Sequence, residues 1–235
     1  MTDPLLGISS MATRQVLADL STAFSADTGV KLRFESVGGV DAAQRVAQGE
    51  RLDLVVLAED AMQRLADAGH LHAASRRVMV ESPMVIAATA GDAMPDVSTP
   101  EALRQALLAA RGIGYSTGPS GTALLKLLDR WDLRKVLGDR LRQAPPGVPV
   151  GRLVAQGEVS LGFQQLSELQ QVPGITLLGA MPTGLEIITR FVGAVAASST
   201  DVAAAQLALD FFTLARHDAL KRQHGMTPPV AEGRL

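Results

Sequence analysis

The chain has 235 residues, 47% of them apolar and 20% charged, which is enough apolar material for a folded core and does not fit a disordered chain. Only 3% are aromatic, cysteine is absent, and the formal net charge is −2 (22 Lys and Arg against 24 Asp and Glu). These counts exclude disulfides, thiolate metal sites and thiol catalysis. They weigh against stacked-base or aromatic-cage recognition and give no electrostatic footprint for DNA, RNA or an anionic membrane.

In chain order, apolar runs of strand length alternate with helix-periodic stretches, so the fold class is α/β, expected to be mainly parallel. Leu5–Ile8 reads as a short strand. Residues 11–28 carry Val16, Leu17, Leu20 and Phe24 at helical spacing and stop at Gly29. Lys31–Glu35 reads as a strand, Val40–Gln48 as a helix ended by Gly49, Leu52–Ala58 as a buried strand and Asp60–Ala68 as a helix closed by Gly69. Val78–Ala88 reads as a strand region broken by Pro83. Ser98-Thr99-Pro100-Glu101 opens a helix with capping-box spacing. Gly112–Tyr115 (strand), Gly121–Trp131 (helix), Gly151–Gln156 (helix), Leu161–Gln164 and Ile175–Leu178 (strands) follow. Ile187–Ala196 is a long strand, and 201–223 reads as helix, with a loosely held tail from Pro228-Pro229. Val46-Ala47-Gln48-Gly49-Glu50 is echoed by Val154-Ala155-Gln156-Gly157-Glu158. The echo fits two similar lobes, and equally an ordinary helix-to-strand connection.

Three turns share one pattern, a strand end followed by small residues and a helix start. They are Gly7-Ile8-Ser9-Ser10-Met11, Ser36-Val37-Gly38-Gly39-Val40 and Ser116-Thr117-Gly118-Pro119-Ser120-Gly121. Small residues admit a ligand to the backbone, and helix N-termini and hydroxyls supply donors for a carboxylate or oxyanion. Ordinary helix capping gives the same residues. None of the turns is a nucleotide or nucleophile-elbow fingerprint.

Gln164 and Gln165, followed by Ser167 and Glu168, end a strand and either face a ligand or start the next turn. Arg190 interrupts the run Ile187–Val192, so its guanidinium is either a carboxylate anchor or an edge residue facing water. His70 and His72 read as loop residues, so no metal site and no cofactor are expected. No run of about 20 apolar residues spans a bilayer. The stretch Met1–Gly7 does not read as a secretory signal, so the expectation is periplasmic if a signal has been removed and cytoplasmic otherwise.

The order of these motifs, from the Ser9-Ser10 turn through AQGERLDLVVLA, ESPMVIA, YSTGPSG and VGRLVAQGEVSLGFQQ to the returning strand, resembles the type II periplasmic solute-binding proteins. It looks most like the molybdate-binding branch of ABC-transporter receptors, over about residues 5–227. That resemblance implies two lobes, 1–82 with 192–235 and 83–191, with mixed central sheets flanked by helices, joined by crossovers near Ser82-Pro83 and Arg190–Gly193. The lobes close like a hinge on a small anionic ligand in the cleft between them, and an ABC permease is the implied partner. Ser9 or Ser10 matches the family's first-loop serine, and Met11, Gly38, Gly39, Ser82, Ser116, Thr117, Gly118, Ser120, Gly121, Gln164, Gln165 and Arg190 complete the expected ligand-binding set. The second-loop hydroxyl is missing at Val37-Gly38-Gly39, and so is a tyrosine on the returning segment. Arg190 lies near the missing tyrosine instead, and a guanidinium in exchange for neutral hydroxyls favours an organic acid over molybdate. Aconitate isomerases are similar to this receptor family, and the YSTGPSG and GFQQLSEL stretches fit that subgroup. An isomerase would need an acid/base, for which Glu168, Glu81 or a serine–water relay are the candidates. An effector lobe of a transcription regulator is disfavoured, because no helix-turn-helix segment precedes Leu5.

Overall fold

The computed structural model describes residues 3–91 and 94–229. Contacts divide the chain into two units: one runs up to Glu81 and resumes at Arg190, and the other is Ser82–Thr189.

The first unit opens with β1 (Leu5–Ser10), which passes through a short 3₁₀ turn into α1 (Arg14–Thr28). Helix α1 buries Val16, Leu17, Leu20 and Phe24 and stops at Gly29, whose φ of +74° is the left-handed geometry that glycine adopts freely. The same alternation gives β2 (Leu32–Val37), α2 (Gly39–Ala47), β3 (Leu54–Ala58) and α3 (Glu59–Asp67). Strand β1 lies parallel to both β2 and β3, and β3 is buried at every position, as its unbroken apolar run requires. Strand β4 (Arg77–Thr89) begins in this unit and continues into the second.

In the second unit, α4 (Pro100–Ala109) starts at Thr99, whose Oγ1 accepts from the Ala102 N–H at 3.1 Å. Then come β5 (Ile113–Tyr115), α5 (Pro119–Arg130), α6 (Leu133–Leu137), β6 (Leu141–Gln143), α7 (Val150–Ala155), β7 (Leu161–Gln165), α8 (Leu166–Leu169) and β8 (Ile175–Ala180). Strand β5 is parallel to β6 and β7, while β4 runs antiparallel to β7 and β8. Strand β9 (Ile188–Val195) returns to the first unit, where it pairs antiparallel with β3. Helices α9 (Val202–Phe212) and α10 (Asp218–Gln223) complete that unit.

The scarce aromatic residues are concentrated. Phe24, Phe191, Phe211 and Phe212 are buried in the first unit's core with Phe34 packed against them, and Phe24 meets Phe211 edge-on at 5.4 Å. The second unit's core is mostly leucine, with Phe163 as its one buried phenylalanine.

Four expectations need correction. The sheets are mixed, as the family resemblance implies, rather than mainly parallel as the strand–helix alternation suggests, because β4 and β9 run antiparallel to β3, β7 and β8. Pro83 does not break β4: the β7 ladder begins one residue later at Met84↔Gln165, so the missing N–H removes none of its bonds. The helix expected over 201–223 is interrupted after Phe212 and resumes at Asp218. The segment at Pro228 is held, since Thr227 exchanges backbone hydrogen bonds with Glu81 and Pro228 is buried. The rest of the expected loose tail, from residue 230, lies outside the described residues.

Candidate functional site

Parallel strands bring their carboxyl ends to one edge, and this places the first unit's candidates. Ser9 and Ser10 end β1, Ser36 lies near the end of β2, and the in-register pair Ser9↔Ser36 brings their Oγ atoms to 2.8 Å. Ser10 is buried and its Oγ has no hydrogen-bond partner, although its carbonyl accepts from Thr13 Oγ1 at 3.1 Å. Gly38 precedes α2 without a side-chain cap, and a Cβ on Gly39 would lie 3.9 Å from the Ser10 Cβ, so the α2 start approaches the end of β1. Met11 is half-buried in the 3₁₀ turn that follows.

The Ala58↔Phe191 pair puts Arg190 at this same edge. Its guanidinium is engaged by protein carboxylates: Nε lies 3.1 Å from Glu81 Oε1 and Nη1 lies 3.7 Å from Glu59 Oε2. Glu81 is therefore one of the acids that hold Arg190 in the first unit. Neither acid was legible as a partner in the sequence, since they lie far from Arg190 along the chain.

In the second unit β5 and β7 end side by side, with Tyr115↔Phe163 in register, so the 116–121 turn and Gln164-Gln165 share an edge. The turn is built tightly. Ser116 Oγ accepts from the Gly118 N–H at 3.2 Å and lies 3.1 Å from Ser120 Oγ. A Cβ on Gly121 would overlap the Ser116 carbonyl, so only glycine fits there. Helix α5 begins at Pro119 with no side-chain cap from Gly118, and Thr117 is exposed beside it. Its first N–H groups therefore have no capping side chain, which suits an anion.

The amides at the end of β7 do different work. Gln164 Oε1 accepts from the Val150 N–H at 2.7 Å, fixing that side chain against the start of α7. Gln165 is 2% exposed, and its Nε2 donates to Thr189 Oγ1 at 2.5 Å while its Oε1 has no partner. Ser82, fully buried two residues before Met84, has an unpartnered Oγ, and so has Ser167. Leaving buried polar atoms unpaired costs about 1–3 kcal/mol each, so these atoms, on and beyond the β4–β7 ladder end at Met84↔Gln165, mark positions where something polar belongs.

Glu168 lies in the first turn of α8, half-buried. Burial raises its pKa to about 7, only partly offset by the hydrogen bond from Gln164. Val150, Thr189 and Glu59 complete this picture and were not singled out from the sequence. Thr189 carried the one available signal, a polar residue next to Arg190 in an apolar run. A separate cavity of about 390 Å³ on the second unit is lined by Met94, Pro95, Leu177, Leu178 and Met181 among others, and none of the candidates above lines it. Among the described residues no cluster of His, Asp or Glu could hold a metal, and no helix is long and apolar enough to cross a membrane.

The family model described as "Bacterial extracellular solute-binding protein" matches residues 5–227. An aconitate isomerase from Pseudomonas sp. is 34% identical over 246 residues, covering 97% of this chain and 93% of that protein. The periplasmic molybdate-binding protein of Azotobacter vinelandii superposes with a TM-score of 0.80 at 18% identity, over 96% of this chain and all of that one. A ferric-binding protein from Campylobacter jejuni gives a TM-score of 0.70 at 16% identity, over 98% of this chain and 88% of that one. Those two structures share the fold, and their different cargoes show that the fold alone does not choose the ligand.

Proposed function

Since the chain belongs to the bacterial extracellular solute-binding protein family, we propose that it binds a small organic anion with more than one carboxylate through the strand-edge groups described above. The observation that carries this reading is the set of unpartnered, buried polar atoms on Ser82, Gln165 and Ser167, on a unit that also presents the hydroxyl-rich 116–121 turn. Hydroxyls and uncapped helix N–H groups receive carboxylate oxygens, and the amide adds a group that pairs with donors as well as acceptors. Hydroxyls and amides accept an oxyanion as readily as a carboxylate, so the choice of an organic acid is supported by the aconitate isomerase relative. In this reading the protein carries its solute to a membrane permease.

Thermal shift against citrate, cis- and trans-aconitate, molybdate, tungstate and sulfate tests the proposal. Ligand at 100 times its Kd adds about 2.7 kcal/mol of stability, a shift well above noise. Stabilisation by an organic acid is expected, and stabilisation by molybdate or tungstate alone would overturn it.

A second reading, isomerisation of an unsaturated tricarboxylate, is favoured by one observation: the 34% identity to aconitate isomerase runs over nearly the whole length of both chains. Purified protein that interconverts cis- and trans-aconitate would establish it. Binding without turnover would leave the carrier reading in place.

A further inference from the structure

Glu168 is the one acid on β7 and α8, the elements that also hold Gln165 and Ser167. The elements packed against α8 add little charge of their own: among them β7 has no charged side chain and α7 carries only Arg152, which is exposed. The second-unit part of β4 and all of β8 likewise lack charged residues. What holds Glu168 is an amide. Gln164, itself pinned by the Val150 N–H, hydrogen-bonds to its carboxyl. A carboxyl so placed is oriented without being neutralised by a cation, and it keeps part of its surface open. That combination serves proton transfer.

We propose that Glu168 is the catalytic proton carrier of this site, moving a hydrogen between two carbons of an unsaturated tricarboxylate. The proposal rests on the isomerase reading and assigns its chemistry to one residue. The Glu168 carboxylate takes a proton from the CH2 carbon next to the C=C bond and becomes a carboxylic acid. The electron pair of the broken C–H bond delocalises over the allylic carbons into the adjacent carboxylate. Glu168 then returns the proton to the former vinylic carbon, and the double bond lies one position along. Every atom and electron is retained, so no oxidant or cofactor is needed. The hydroxyls of Ser116 and Ser120 and the α5 N-terminus are the donors on this unit suited to the carboxylate where charge builds up.

Isomerisation of trans-aconitate, followed by NMR in H2O and in D2O, tests the assignment alongside calorimetric binding of the same acid. The comparison is between wild type, Glu168→Gln and Glu168→Asp. The expected result is that Glu168→Gln binds trans-aconitate within a few-fold of wild type and loses at least 1000-fold in turnover, while Glu168→Asp keeps a measurable fraction. The wild-type rate should also rise with pH through a limb near the pKa of Glu168, about 7. Should Glu168→Gln fail to fold, Glu168→Asp and the wild-type limb carry the test. An active wild type with an equally active Glu168→Gln, or with no such limb, overturns the role of Glu168 and leaves the isomerase reading standing. A wild type that binds trans-aconitate and never converts it overturns the isomerase reading itself.

Discussion

Replacing Glu168 by glutamine should stabilise the protein at alkaline pH, and the size of the effect follows from its surroundings. A carboxyl whose pKa moves from 4.5 to about 7 on folding is favoured as the neutral acid in the folded state. Below pH 4.5 the residue is protonated whether folded or unfolded, and the shift costs nothing. Between pH 4.5 and 7 the unfolded chain ionises first and the cost grows. Above pH 7 it is complete, at about 1.4 kcal/mol per pH unit of difference, or about 3 kcal/mol. Water at the open part of the side chain makes that figure a ceiling. Glutamine keeps the shape and carries no charge, so the variant escapes the cost. Urea denaturation at pH 5 and pH 8 reads the double difference. The variant should gain about 1–3 kcal/mol relative to wild type on going from pH 5 to pH 8, or up to about 10 °C in Tm for a chain of this size. A difference that is the same at both pH values would refute the reasoning, because it would mean that Glu168 ionises as an exposed acid.

Other expectations follow from particular contacts. Gly121→Ala drives a methyl into the Ser116 carbonyl, so it should disrupt the 116–121 turn and weaken solute binding by at least tenfold in calorimetry; unchanged affinity would remove that turn from the site. Asp53→Ala orphans the Leu6 N–H (2.9 Å) and the Ser199 hydroxyl (2.8 Å), and should cost about 2–4 kcal/mol in urea denaturation. Lys221 is 1% exposed, burial lowers its pKa, and its nearest acid, Asp218, is 3.5 Å away, so Lys221→Met should be neutral or stabilising by differential scanning calorimetry. Arg190→Ala removes a partner of Glu59 and Glu81 and should weaken binding of a carboxylate ligand in calorimetry; unaltered affinity would show that the guanidinium serves protein carboxylates and not the ligand.

The fold was legible wherever periodicity and punctuation agree. Helix α1 ends at Gly29, and α2 and α3 are followed by the left-handed Gly49 and Gly69, each where the sequence places it, while α4 is capped by Thr99 through the Ala102 N–H rather than by the Ser98 that capping-box spacing to Glu101 requires. Elements α6 and β6 were not legible, because five and three residues are too short to show a period and Asp132, at φ +54°, turns the chain without a glycine to announce it. The strand ends were readable as polar turns because the parallel pairings bring them to common edges. What the side chains do there was not readable. Gln164 and Gln165 look alike in sequence, yet one is spent on the Val150 N–H while the other keeps an unpartnered carbonyl. That distinction is set by which strand lies alongside, and it is fixed only by tertiary structure.

The central claim is that a multi-carboxylate organic acid is recognised by the unpartnered polar groups of the second unit. Calorimetric titration of wild type, Ser82→Ala and Gln165→Ala with citrate, trans-aconitate and molybdate tests it most directly. The account predicts saturable binding of an organic acid, weakened at least tenfold by each substitution. Binding of molybdate alone, or organic-acid binding that neither substitution alters, would contradict it.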